Sequence, residues 1–206
     1  MFSLMLKAQT KHTSVIYKGH EQWVSEKMTQ MTLDEKLGQL FMIAAYSNKG
    51  KGHQEEILKL IKQEHIGGLI FFQGGPVRQA RLTNLYQQSA KIPLMIAMDA
   101  EWGLAMRLDS TYKFPWPMTV GATHDSVLAY QMGKEIALHC KRLGVHINFG
   151  PVVDINTNPD NPIINARSFG QDPALVAELG VAYALGMQDQ NVMANAKHFP
   201  GHGDTK

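Results

Sequence analysis

The chain has 206 residues, 44% of them hydrophobic and 18% charged, with a formal net charge of +2. That describes one domain of ordinary size, with enough apolar material for a core and too little charge for a disordered chain. The balance gives no reason to expect a nucleic-acid or anionic-membrane partner, and no apolar run approaches the ~18 residues of a membrane span.

Met1 to Thr10 has the look of the tail of a secretory apolar segment ending at the small Ala8. It is short for a signal and no basic segment precedes it, so a frayed N-terminus is the simpler reading. Residues 1–30 are read as an N-terminal extension and 31–206 as the domain. Thr32 with Glu35 makes a capping box, and Leu33, Leu37, Leu40 and Phe41 fall on one face of the helix it opens. A first strand is expected around Phe41–Ala45. Glu55–His65 reads as a helix stopped by Gly67-Gly68, and Leu69–Phe72 as a strand.

Pro76–Ser89 is helical, with proline in its first turn, and Leu94–Met98 is a buried strand closing on Asp99. An irregular stretch rich in Trp, Pro and Thr runs from Glu101 to Gly121. Asp125–Leu143 is a helix ended by Gly144, Val145–Phe149 a strand, and Asn156–Asp172 a long loop. Pro173–Asp189 is helical and Val192–Ala196 starts one more strand. The one cysteine, Cys140, lies inside a helix and reads as a small buried side chain.

Strands that are apolar on both faces and alternate with helices indicate a parallel sheet covered by helices. Polar residues cluster just after the strands: Asp99 and Glu101, Asp154, then Lys197 and His198. In β/α barrels the chemistry sits in those loops. A doubly wound sheet also binds there, but it uses a glycine-rich phosphate turn, and no G-x-G-x-x-G follows any strand here. The expected fold is therefore an α/β (β/α)8 TIM barrel, incomplete, with about the first five β/α units of the eight that such a barrel needs. The chain ends in a loop directly after a strand, and the simplest expectation is that it continues.

The segment Lys197-His198-Phe199-Pro200-Gly201-His202-Gly203 is the most informative. Basic groups at a strand end offer donors to a polar ligand, and proline with two glycines forces a tight loop. A zinc reading of His198, His202 and Asp204 would need a helix, which Pro200 and Gly201 oppose. This segment resembles the Lys-His-Phe-Pro-Gly-His-Gly signature of family 3 glycoside hydrolases of the β-N-acetylglucosaminidase type. Asp99-Ala100-Glu101-Trp102-Gly103 with Arg107, Asn148 to Asp154, and Asn165 to Gly170 resemble three further family segments in the same order. Trp102, Leu104 and Ala166 depart from the family pattern.

The resemblance implies that Asp99 accepts hydrogen bonds from the hydroxyls of a terminal sugar. It implies that Arg107 and Arg167 donate to hydroxyls or neighbouring carboxylates, and that Lys197 and His198 hold the sugar from below. His202 and Asp204 are expected to shape the loop. Glu101 and Asp154 could be taken for an acid/base pair, but the matching family positions are not its catalytic pair. The nucleophilic aspartate and an Asp-Ser-His acid/base turn are expected beyond Lys206, so no catalytic residue is expected within these 206 residues. The implied activity is retaining removal of terminal β-linked N-acetylglucosamine from oligosaccharides or peptidoglycan fragments, without metal or organic cofactor. The partner is a carbohydrate substrate, and further C-terminal domains are compatible with the pattern. The location is bacterial in type, with periplasmic or secreted and cytoplasmic placement both open. The alternatives are a family 3 β-glucosidase or β-xylosidase, a non-catalytic carbohydrate-binding barrel, and a metal-dependent barrel hydrolase.

Overall fold

The computed structural model describes residues 20–205; the reading of Met1 to Thr10 lies outside them. The chain divides into two compact units, Met1–Met31 and Thr32–Lys206. In the first, α1 (Glu21–Gln30) buries none of its residues.

The second unit is built on five parallel strands: β1 (Met42–Ala45), β2 (Gly68–Phe71), β3 (Met95–Met98), β4 (Ile147–Asn148) and β5 (Met193–Ala194). Their order in the sheet is their order in the chain. A doubly wound sheet reverses direction partway, whereas successive right-handed crossovers without reversal keep the helices on one side. This is a partial parallel β/α sheet, consistent with an incomplete (β/α)8-like barrel.

The helices start where local chemistry dictates. α2 (Leu33–Gly38) opens on the expected capping box: the Thr32 side chain accepts from the Glu35 N–H, and the Glu35 carboxylate accepts from the Thr32 N–H. α4 (Pro76–Ser89) has proline in its first turn, where the missing N–H costs nothing. Asp125 and Asp172 cap α6 (Ser126–Arg142) and α7 (Pro173–Gln188) by accepting from backbone N–H groups one turn in.

Three expectations need correction. An apolar helix face is ordinarily buried, yet Leu33, Leu37, Leu40 and Phe41 are all exposed; α2 buries Glu35 and Gly38 instead. The helix expected from Glu55 starts earlier, as α3 (Lys51–Lys59), and continues as a π turn over Leu60–Glu64. His65, in the left-handed conformation at φ 52°, ends it, not the glycines. Gly67 answers a different need: a Cβ there would lie 2.1 Å from the Gln39 carbonyl oxygen. The fourth strand is shorter than Val145–Phe149; before it, the Val145 N–H is spent closing α6, donating to the Cys140 carbonyl.

The core lies between sheet and helices. Leu69, Phe71, Ile96 and Met98 of the strands meet Ile136 of α6 and Leu179 of α7, all buried. α6 and α7 approach closely because Gly133 and Gly186 face the neighbouring backbone. Cβ atoms there would stand 2.2 Å from the Tyr183 carbonyl oxygen and 2.1 Å from that of Tyr130. The irregular stretch after β3 contains a 3-10 turn (Leu104–Met106) and a short α5 (Pro117–Gly121). Among the described residues no helix is long and apolar enough to cross a membrane.

Candidate functional site

Parallel strands deliver the residues that follow them to one edge of the sheet. Ala45 pairs with Phe71, Phe71 with Met98, Met98 with Asn148, and Asn148 with Ala194. Tyr46, Phe72 and Asp99 are each the next residue on, so they stand in one row. Lys197 is reached from β5, and its backbone is tied to the segment after β4: its N–H donates to Pro151 O, and its carbonyl accepts from Val153 N.

The five sequence-derived site residues come together in one network. Lys197 Nζ lies 3.0 Å from Asp99 Oδ1 and 2.7 Å from Glu101 Oε1. Arg107 donates to Asp99 Oδ2 at 2.6 Å. Arg167 grips Glu101 with a two-pronged fork, Nε to Oε2 at 2.9 Å and a terminal nitrogen to Oε1 at 2.7 Å. That terminal nitrogen is 3.5 Å from His198 Nε2. His198 Nδ1 is 2.5 Å from Asp154 Oδ2, whose carboxylate also accepts from the backbone N–H groups of His198 and His202.

Three cations thus face three carboxylates. The Glu101 and Asp154 side chains have no exposure, while Asp99, Arg107, Arg167 and Lys197 keep between 13% and 20%. Burial pushes the Asp99 carboxyl up, but the charge and hydrogen bonds of Lys197 and Arg107 outweigh it and hold it below the ordinary carboxylate range. Burial likewise raises Glu101, and Arg167 with Lys197 pull it below that range. Both are therefore ionised acceptors at neutral pH. Where the His198 ring is neutral and donates from Nδ1 to Asp154, Nε2 is left as an acceptor.

Glu101 and Asp154 do not form an acid/base pair. Each is occupied by its own cationic or N–H partners. They are the buried anchors of Arg167, Lys197 and His198, a role the sequence reading did not give them. The His202 backbone N–H donates to Asp154, its ring meets the Thr205 hydroxyl, and Asp204 is exposed. Among the described residues no three His, Cys, Asp or Glu side chains cluster as a metal site.

Supporting residues were also missed. The buried Asn148 amide brackets Ala100, accepting from its N–H at 2.8 Å and donating to its carbonyl at 3.2 Å, and it also donates to the Tyr183 hydroxyl at 3.1 Å. This clamp fixes the backbone between Asp99 and Glu101. Asn161, buried in the long loop, donates to His202 O at 2.6 Å and so joins the two loops. One ends a strand and the other lies within a loop, and in both the side-chain amide stands in for a backbone partner. An open cavity of 660 Å³ lies beside the network, lined by Asp154, Lys197, His198 and the Phe199–Gly201 turn among others.

Residues 32–206 match the glycosyl hydrolase family 3 N terminal domain. The chain belongs to that family. It is 37% identical over 163 residues to beta-hexosaminidase A of Pseudoalteromonas piscicida, covering 73% of this chain and 27% of that protein. It is 34% identical over 181 residues to the beta-N-acetylglucosaminidase/beta-glucosidase of Cellulomonas fimi, covering 88% of this chain and 31% of that one. The structure of beta-glucoside phosphorylase BglX bound to 2FGlc matches with a TM-score of 0.82 at 31% identity, over 88% of this chain and 32% of that chain. The family 3 chain thus spans about a third or less of the length of these relatives. Their names include hexosaminidase, glucosidase and phosphorylase activities, so membership in family 3 leaves the substrate to the chemistry of the site.

Proposed function

We propose that this chain forms the sugar-holding part of a family 3 glycosidase domain, and that the intact protein cleaves a terminal β-linked glucose-type sugar, with or without a 2-acetamido group. The observation that carries the proposal is the joining of Asp99, Arg107, Arg167, Lys197 and His198 into one partly exposed network at the strand ends. A carboxylate that accepts only, with each oxygen already oriented by one cation, keeps lone pairs for neighbouring hydroxyls. Lys197 and His198 border the open cavity, while Asp99, Arg107 and Arg167 stand behind them outside its lining.

Two readings of the sugar have support. The Lys197–Gly203 loop resembles the N-acetylglucosaminidase signature. The similarity to a beta-glucoside phosphorylase, and to a relative named for both activities, favours an unsubstituted glucoside. Retaining cleavage needs a nucleophilic carboxylate and an acid/base. Glu101 is bonded on both oxygens and held ionised, so it fills neither role. We propose that both groups lie outside the network formed by Asp99, Glu101 and Asp154.

The test is turnover by the full-length protein of 4-nitrophenyl β-glucoside and its 2-acetamido analogue, with and without inorganic phosphate. At least one substrate is expected to be cleaved, and Asp99→Asn to lower kcat/KM by about 100-fold, the loss of one charge-assisted contact or two. Free sugar against sugar 1-phosphate separates hydrolysis from phosphorolysis. Sugar binding without turnover of either substrate would instead favour a non-catalytic barrel.

A further inference from the structure

Arg107 is held unlike the other cations of the site. Among the described residues its guanidinium makes one side-chain hydrogen bond, to Asp99, and its Nε is buried with no partner. A planar five-donor group fixed at a single point is free to swing about that bond. What stops it is a ring: the guanidinium carbon lies 4.7 Å from the centroid of Phe72. Phe72 is itself stacked on Tyr46, with centroids 5.6 Å apart and planes 22° apart. Tyr46 is fastened in turn, by Lys49 Nζ 3.8 Å from its centroid and by its backbone N–H donating to His53 Nε2 at 3.2 Å.

The strand register explains why these groups meet. Tyr46, Phe72 and Asp99 follow three mutually paired residues, Ala45, Phe71 and Met98, and the Phe72 N–H extends the ladder by donating to Ala45 O at 2.9 Å. Equivalent positions on neighbouring parallel strands project to the same side. Two aromatic rings therefore stand in the same row as the carboxylate, and Arg107 bridges from the nearer ring to it.

We infer that Phe72, backed by Tyr46, is a positioning residue of the sugar site: its ring holds the Arg107 guanidinium in the plane from which it orients Asp99. The inference rests on the reading of Asp99 as a sugar acceptor. A cation over a ring face is attracted by the ring quadrupole, most strongly where water is partly excluded, and the 18% exposure of Arg107 meets that condition. Leucine at position 72 would keep apolar bulk and lose the quadrupole; tyrosine would keep both.

The experiment is a double-mutant cycle in the full-length protein, reading KM and kcat on whichever 4-nitrophenyl β-glycoside it cleaves, with melting temperature beside them. Phe72→Leu is expected to raise KM about threefold to tenfold, Phe72→Tyr to stay within about twofold of the parent, and Arg107→Ala to raise KM at least as far as Phe72→Leu. On the Arg107→Ala background, Phe72→Leu should add nothing, a coupling that a general packing role would not produce. If Phe72→Leu fails to fold, Phe72→Met is read in the same way. An additive effect of Phe72→Leu on that background, or no change in KM from Phe72→Leu where Arg107→Ala does raise it, overturns the inference and leaves the sugar reading intact. Unchanged KM in both Arg107→Ala and Asp99→Asn would overturn the sugar reading itself.

Discussion

Arg167 and Arg107 belong to the same charge network, yet one is fastened by hydrogen bonds and the other by a ring. Arg167 uses three nitrogens, two on the buried Glu101 and one on the Ile163 carbonyl. Arg107 uses one, and leans on Phe72 for the rest. The difference follows from what each carboxylate faces. Glu101 is wholly buried, so its charge must be met inside the protein. Asp99 keeps some exposure, and its unfilled acceptor capacity is what a ligand could use. One side of the network is thus a closed structural lock, and the other keeps exposed acceptor capacity.

The largest test of this contrast is Arg167→Ala. Removing the fork leaves a buried carboxylate with only Lys197, and should cost roughly 3 kcal/mol of stability in denaturant unfolding. Arg107→Ala should cost less, roughly 1.5 kcal/mol, since it removes one hydrogen bond rather than a fork and Asp99 keeps Lys197. Equal losses from the two would break the comparison. Asn148→Ala comes next, expected at roughly 2 kcal/mol because it strands buried groups of Ala100 and Tyr183.

Acid sharpens the same point. Asp99 and Glu101 have folded-state values below the ordinary ~4 of free carboxylates, so their contribution is complete above that pH. It is lost as pH falls through the lower folded values. Glu35 adds to this trend: its hydrogen bond from Lys91, then that from the Thr32 N–H, hold it at about 2. Unfolding curves between pH 5 and 2 should therefore show falling stability, and the fall should be shallower in Arg167→Ala. The smallest effect is expected from Arg107→Lys, which keeps the single bond and a cation over the ring. Arg167→Lys should cost about 1 kcal/mol more than Arg107→Lys, because an ammonium cannot reproduce the fork.

Much of the fold was legible because helix ends carry local chemistry. Pro76, Asp125 and Pro173 mark starts that the structure keeps to within a residue. Periodicity, in contrast, shows that a face is apolar and not what it meets, which is why Leu33, Leu37 and Leu40 misled. The site was legible as motifs at strand ends. Its internal wiring was not, because Glu101 meets Arg167 across 66 positions and Asp154 meets His198 across 44, and no local pattern encodes such pairings. The aromatic pair was missed for a related reason. Phe72 reads in the sequence as the end of an apolar strand and Tyr46 carries no signal of its own; the register sets both beside Asp99.

Direct binding bears most closely on the claim that these groups serve one ligand. Calorimetric titration of the full-length protein and its Asp99→Asn and Lys197→Met variants with glucose and N-acetylglucosamine would measure it. The account predicts that at least one sugar binds the parent and that each substitution weakens that binding by about tenfold or more, with folding intact by circular dichroism. Unchanged affinity in both folded variants would contradict it.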